Sequence, residues 1–166
     1  MTRILLLIAL SFSTVFVAFS QTKTAHINYS KLVLLMPETK KADTTLSVLT
    51  KNYQAELTRM QTEYKTKLEK FQAEEKTMPA ATKELRTKEL TDAEASYNKF
   101  QEAAKKDISE KDKALFKLIF EKAENAVKEV AKEKGYSYVI DSSKGNYVYL
   151  DPKEDIFEAV KKKLGL

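Results

Sequence analysis

The stretch LSVLTKNYQAELTRMQTEYKTKLEKF, residues 46–71, carries its apolar side chains at Leu46, Leu49, Tyr53, Leu57, Met60, Tyr64, Leu68 and Phe71. The steps run three, four, four, three, four, four, three, which is an eleven-residue repeat spread over three helical turns. Such a repeat, ~3.67 residues per turn, holds a narrow apolar stripe on one side of a nearly straight helix. The period returns further along the chain. Ala93, Ala104, Leu115 and Ala126 form one column, and Tyr97, Ile108, Ile119 and Val130 form another. Between the two copies lies Thr77-Met78-Pro79-Ala80-Ala81-Thr82. Proline fits a first helical turn, and Thr77 or Thr82 is placed to cap a new helix. Residues 38–134 contain no glycine, and Pro79 is their one proline. The pattern predicts a long antiparallel helical hairpin over 38–134 with its tip near 77–82; a single kinked helix is the rival reading. A helix from Glu38 to Lys76 would run on the order of 60 Å.

The seam changes character along its length. A third column, Phe100, Lys111, Lys122, stops being apolar. From Leu115 to Ala131 the opposite holds, with Leu115, Phe116, Leu118, Ile119, Phe120, Ala123, Val127 and Val130 spread over more than one face. One partner helix covers one face only, so this root must also meet the flanking segments, other chains, or both.

Those flanks, 21–37 and 135–166, read as a β body. Ala25, Ile27 and Tyr29 alternate with Thr24, His26 and Asn28, as in a half-buried strand. Ser30 is expected to cap a short helix that Pro37 interrupts. Gly135 is placed to end the long helix. Tyr136–Asp141 and Asn146–Leu150 read as strands joined by the hairpin signal Ser142-Ser-Lys-Gly145. Asp155-Ile-Phe-Glu158 resembles a capping box for a last helix with Ile156, Phe157, Val160 and Leu164 on its apolar side. The expected body core draws on Ile27, Val139 and Val148, with Leu115, Phe116, Ile119 and Phe120 from the root. Three short strands and one helix make a small core with open sheet edges, so oligomerisation is expected.

Composition narrows the chemistry. The 166 residues include no Cys, no Trp, one His and three Gly. Disulfides, thiolate metal sites and multi-histidine sites are excluded, and the three glycines lie too far apart for a phosphate-binding loop. His26, alone on a strand, reads as a sheet residue. The acidic pairs Asp92/Glu94 and Glu74/Glu75 sit on a helix surface, without the cleft that paired-carboxylate catalysis needs. The reading is a non-enzyme with no cofactor and no metal.

Met1-Thr-Arg3, the uncharged run Ile4–Phe19 and the small residues Ala18 and Ser20 read as a signal peptide over 1–20, cleaved before Gln21. An uncleaved membrane anchor is the alternative, although the run is short of the ~20 residues that span a bilayer comfortably. Export without cysteines suits a bacterial periplasm. The formal charge is +5, but it is interleaved rather than massed. Glu63–Lys67, Glu84–Lys88, Glu102–Lys106, Asp107–Lys111 and Glu124–Lys128 are i,i+4 pairs in the favourable order. A mildly cationic surface of this kind suits anionic lipid, lipopolysaccharide or acidic polypeptide partners; export keeps nucleic acid out of reach.

The whole mature chain resembles the Skp/OmpH family of periplasmic chaperones. The most specific pieces are Ala25-His-Ile-Asn28, Met36-Pro37-Glu38, Val130-Ala-Lys-Glu-Lys-Gly-Tyr136 with Val139 and Asp141, and Asp155-Ile156 with Lys163-Leu-Gly165. Leu118 stands where many relatives carry proline, and Phe157 where a threonine is usual. The resemblance implies an α+β fold: a coiled-coil-like hairpin arm on a small β body, with three subunits building a central barrel. It also implies an ATP-independent holdase for unfolded outer-membrane proteins in a cavity between arms. Met60, Tyr64, Phe71 and Met78 are the expected client contacts. A structural or adaptor coiled coil that binds one folded partner is the alternative function.

Overall fold

The computed structural model describes residues 22–166, so the expected signal peptide lies outside the described residues. The chain runs β1 (Thr24–Ile27), α1 (Tyr29–Leu35), α2 (Pro37–Glu74), α3 (Ala80–Glu133), β2 (Tyr138–Asp141), a 3-10 turn (Pro152–Glu154) and α4 (Phe157–Lys163). It is an α+β architecture with one long helical hairpin standing on a small body.

α2 has 38 residues and α3 has 54, about 57 Å and about 81 Å of helix at 1.5 Å per residue. They pair antiparallel. Lys122 bonds Glu38 at the root, the Tyr53 hydroxyl donates to Asp107 Oδ2 at 2.9 Å midway, and Lys83 Nζ meets Glu75 Oε1 at 2.7 Å by the tip. The kinked-helix alternative is thereby excluded. All eight apolar positions of the 46–71 repeat are half-buried along the seam. On α3 the two matching columns also turn inward, with Ala104, Ile119, Ala126 and Val130 fully buried. Where the third column fails, Lys111 is exposed and Lys122 is used in the root ion pair. α3 passes through Leu118 without a break.

Several local expectations need correction. α1 is capped by Asn28, not Ser30: the Asn28 side chain accepts from Lys31 N at 2.9 Å. The strand ends at Ile27, two residues sooner than its alternation suggests, which frees Asn28 for the cap. At the tip neither threonine caps α3. Pro79 is its N-cap residue, and Thr77 Oγ1 turns back to Glu74 O at 3.2 Å. Of the five expected i,i+4 pairs, Glu124–Lys128 forms at 2.6 Å, while Lys106 leans toward Glu110 and Glu63 is taken by Arg59 instead. Exposed charges choose among near-equal partners, and little stability depends on the choice. The capping box at 155–158 is half formed: Asp155 Oδ1 accepts from Phe157 N at 2.8 Å, but Glu158 pairs with Lys161.

The sheet differs most. It has two strands, and they are parallel, with Thr24 opposite Tyr138 and Ile27 opposite Asp141. The whole arm is the crossover between them, and parallel neighbours require a long connection of that kind. Asn146–Leu150 forms no strand within the chain, so the expected 136–150 hairpin is absent. Val148 consequently lies outside the core and is fully exposed at 105%. Gly135 does end α3, at φ +71°, a conformation that glycine adopts without strain.

The body core gathers Ala25, Ile27, Leu32, Val33 and Met36 with Ile156, Phe157 and Val160, and Ile119, Ala123, Ala126 and Val130 from α3. Met36 breaks the chain between α1 and α2 in an extended conformation, with its side chain fully buried. Beside it Thr39, the one buried polar residue among the described residues, satisfies its hydroxyl on Val33 O at 2.6 Å. α4 is strapped to α3 by Lys163, which reaches Glu129 at 2.9 Å and Glu133 at 2.8 Å. Those two carboxylates, Glu133 first, raise the Lys163 pKa.

Candidate functional site

The apolar surface that the chain leaves uncovered lies along the arm and around its root. A two-helix arm is one pair thick, so each seam residue is covered by one neighbour and keeps a wet flank. Met60, Tyr64, Phe71 and Met78 are all half-buried in this way. The structure brings Phe71 and Met78 together in a hollow at the tip, with Leu90 beside them and Lys67, Lys70, Glu74, Arg86 and Glu89 around them. Tyr64 lies about 10 Å nearer the root at helical rise, where it shares a cleft with Tyr97, Gln61, Glu94 and Asn98. Met60 lies one turn rootward of Tyr64 on the same stripe.

Between cleft and root the seam closes. Tyr53 meets Phe100 edge-on with ring centroids 5.7 Å apart, and its hydroxyl is taken by Asp107. Hydrogen bonding to that carboxylate raises the Tyr53 pKa, because an ionised phenol would lose the bond and face a like charge.

At the root, Leu115 and Ile119 join Ala42 and Thr45 in a groove whose rim holds Glu38, Lys41, Leu118 and Lys122. Leu118 is 67% exposed there. The Lys122 ammonium holds the Glu38 carboxyl below the usual carboxylate range. On another face of α3, Phe120 packs against Tyr29 (6.4 Å) and Phe116 (5.8 Å) yet stays 45% exposed, next to Leu34 at 67%. The Tyr29 hydroxyl donates to Phe120 O at 2.9 Å and ties α1 to α3 at this point. Ile27 and Ile119 are buried, Leu115, Phe116 and Val139 are half-buried, and Phe120 and Val148 are exposed. Sequence reasoning missed Leu34 and Leu35, although Leu32-Val33-Leu34-Leu35 is apolar all round a short helix that can bury one side only. It also missed Tyr97 as the cross-seam partner of Tyr64.

His26 Nε2–H is 3.0 Å from Asp151 O and holds the 3-10 turn beside β1. Asp92 is exposed on α3, and Glu94 faces the mid-arm cleft without a second carboxylate beside it. Among the described residues no helix is long and apolar enough to cross a membrane. What the arrangement offers is a long, shallow, mixed surface with apolar spots at intervals.

Comparison with known proteins agrees with this shape. Residues 23–164 match the family described as Outer membrane protein (OmpH-like). No curated protein matches the chain. Among solved structures it is similar to a Caulobacter crescentus protein named as a candidate outer membrane chaperone (OmpH-like). The TM-score is 0.75 at 16% identity, over 85% of this chain and 82% of that one. At that identity the likeness speaks for the fold, whereas the family match spans nearly the entire described chain. The chain belongs to the OmpH-like outer membrane protein family.

Proposed function

We propose that this chain is an ATP-independent holdase of the bacterial periplasm, which keeps unfolded outer-membrane proteins from aggregating. The observation that carries the reading is the arm itself. It is a hairpin of 38- and 54-residue helices whose apolar stripe stays half-exposed along its length. Family membership and the candidate chaperone role of the structural neighbour support it. Unfolded outer-membrane barrels present alternating apolar residues and unpaired strand groups, and they associate readily. Holding many such chains favours numerous weak contacts over one deep pocket. Met60, Tyr64, Phe71 and Met78 are the proposed contacts, and the protein binds its clients without chemically altering them.

The exposed apolar root and the unpaired 146–150 segment support a body completed by other copies, a homotrimer in this reading, with clients enclosed between the arms. Residues 1–20 direct export and are removed before Gln21. Lys67 and Lys70 beside the apolar tip, where Arg86 is held by Glu89, are the cations that suit an anionic lipid or lipopolysaccharide surface. The test is aggregation of a urea-unfolded outer-membrane barrel, followed by light scattering after dilution. Suppression at near-stoichiometric trimer is expected. Unimpeded aggregation would favour an adaptor that binds one folded partner.

A further inference from the structure

Midway along the arm the seam opens. Gln61 and Tyr64 of α2, with Glu94, Tyr97 and Asn98 of α3, line a cleft of about 250 Å³, far more than the roughly 30 Å³ that one water occupies. The neighbouring levels are built differently. Rootward, Tyr53 spends its hydroxyl on Asp107 and is closed off by Phe100. Tipward, Phe71, Met78 and Leu90 make an apolar floor. At the cleft, among the described residues, none of the five side chains has a hydrogen-bond or ion-pair partner within the chain. Gln61, Glu94 and Asn98 are exposed and Tyr64 and Tyr97 half-buried, so a ligand in the cleft would meet two carboxamides and two phenols whose polar groups need only give up water.

We propose that this cleft binds the backbone of an extended polypeptide, with Gln61 and Asn98 pairing with its peptide groups and Tyr64 and Tyr97 covering the adjacent side chains. The proposal rests on the holdase reading and names the client chemistry of one part of the arm. A carboxamide presents a donor and an acceptor in one plane, the same pair that a peptide group presents. Gln and Asn thus make a two-point contact with any backbone, whatever its sequence. Backbone groups are also what every unfolded chain exposes, as an unpaired strand edge does. Tyrosine adds contact area at small entropic cost and tolerates varied neighbours. The one charge in the cleft is Glu94, which disfavours anionic headgroups there.

The test uses the full mature chain and two ten-residue peptides of alternating Val and Thr, identical except that one is N-methylated at every second amide. Wild type is expected to bind the unmethylated peptide about tenfold more tightly, the size of two modest hydrogen bonds. The Gln61→Met/Asn98→Leu variant keeps side-chain volume and should lose that factor, binding both peptides alike. Equal binding of the two peptides by wild type would overturn the proposal. So would a variant with wild-type helix content that still discriminates between them. Should the double variant fail to fold, Gln61→Met and Asn98→Leu are read singly, each expected to lose part of the discrimination, and full discrimination by both would overturn the proposal. An independent aggregation assay on an unfolded outer-membrane barrel separates the two ideas: suppression by wild type without peptide discrimination sinks the cleft and leaves the holdase standing.

Discussion

The Asp141 carboxylate accepts from the backbone N–H of Tyr29 at 3.3 Å, linking the end of β2 to the first turn of α1 across 112 residues of chain. The same oxygen takes Ser143 N at 2.9 Å and Ser143 Oγ at 2.6 Å. This carboxylate adds a side-chain fastening to the β1–β2 ladder that joins the two ends of the body.

Burial pushes the Asp141 pKa up, but the Ser143 hydroxyl, the Ser143 N–H and the Tyr29 N–H together outweigh it, and the net shift is downward. A carboxyl whose folded pKa lies below its unfolded value stabilises the fold above that unfolded value, about pH 4, and the contribution fades as pH falls through the folded pKa. Asp141→Ala should cost about 1–2 kcal/mol at pH 7. The difference from wild type should shrink on acidification, as read from urea midpoints across pH.

Leu32 is fully buried between α1 and the body core. Leu32→Ala should lower stability by about 2–5 kcal/mol, the range for a large side chain removed from a packed core. Val148 is bare to solvent. Val148→Asp should leave the folded protomer unchanged and weaken assembly, if other copies cover that segment. Denaturant melts together with mass by light scattering separate the two effects.

Gly135 sits at φ +71° with open space where a Cβ would stand. The cost of Gly135→Ala is then conformational rather than steric, about 1 kcal/mol. A melt that shows no loss would contradict the left-handed cap assigned to the end of α3.

Tyr53 and Phe100 close the arm rootward of the cleft. Phe100→Ala should lower arm stability by about 1–2 kcal/mol while the body stays intact. Amide exchange should then quicken near Tyr53 and Phe100 and remain slow at Ile27 and Leu32, because a thin hairpin opens locally before the core does.

The arm was legible because helical spacing is a local property. Steps of three and four between Leu46 and Phe71 place those residues on one stripe whatever lies beyond, and all of them lie on the seam. The sheet was not, because the β1–β2 pairing is parallel and is decided by where the long connection from Ile27 to Tyr138 returns. No spacing near Tyr138 encodes that. Asn146–Leu150 alternates like a strand, yet alternation reports compatibility with a sheet and cannot supply a partner. Within one chain it has none, and Val148 is exposed as a result. The alternation places Asn28 in a strand because an Asn in an alternating run and an Asn at a cap look alike until the strand's last residue is known. Tyr64 was legible as a seam residue, but its company with Gln61, Asn98 and Tyr97 depends on the antiparallel register, which the tip fixes only in three dimensions.

The most direct test of the account is small-angle scattering with absolute mass on the mature chain, alone and after adding a denatured outer-membrane barrel. Several protomers on a common centre, with limbs extending outward and a hollow that fills when the client is added, is the predicted result. A compact single-chain particle, unchanged by the client, would contradict it.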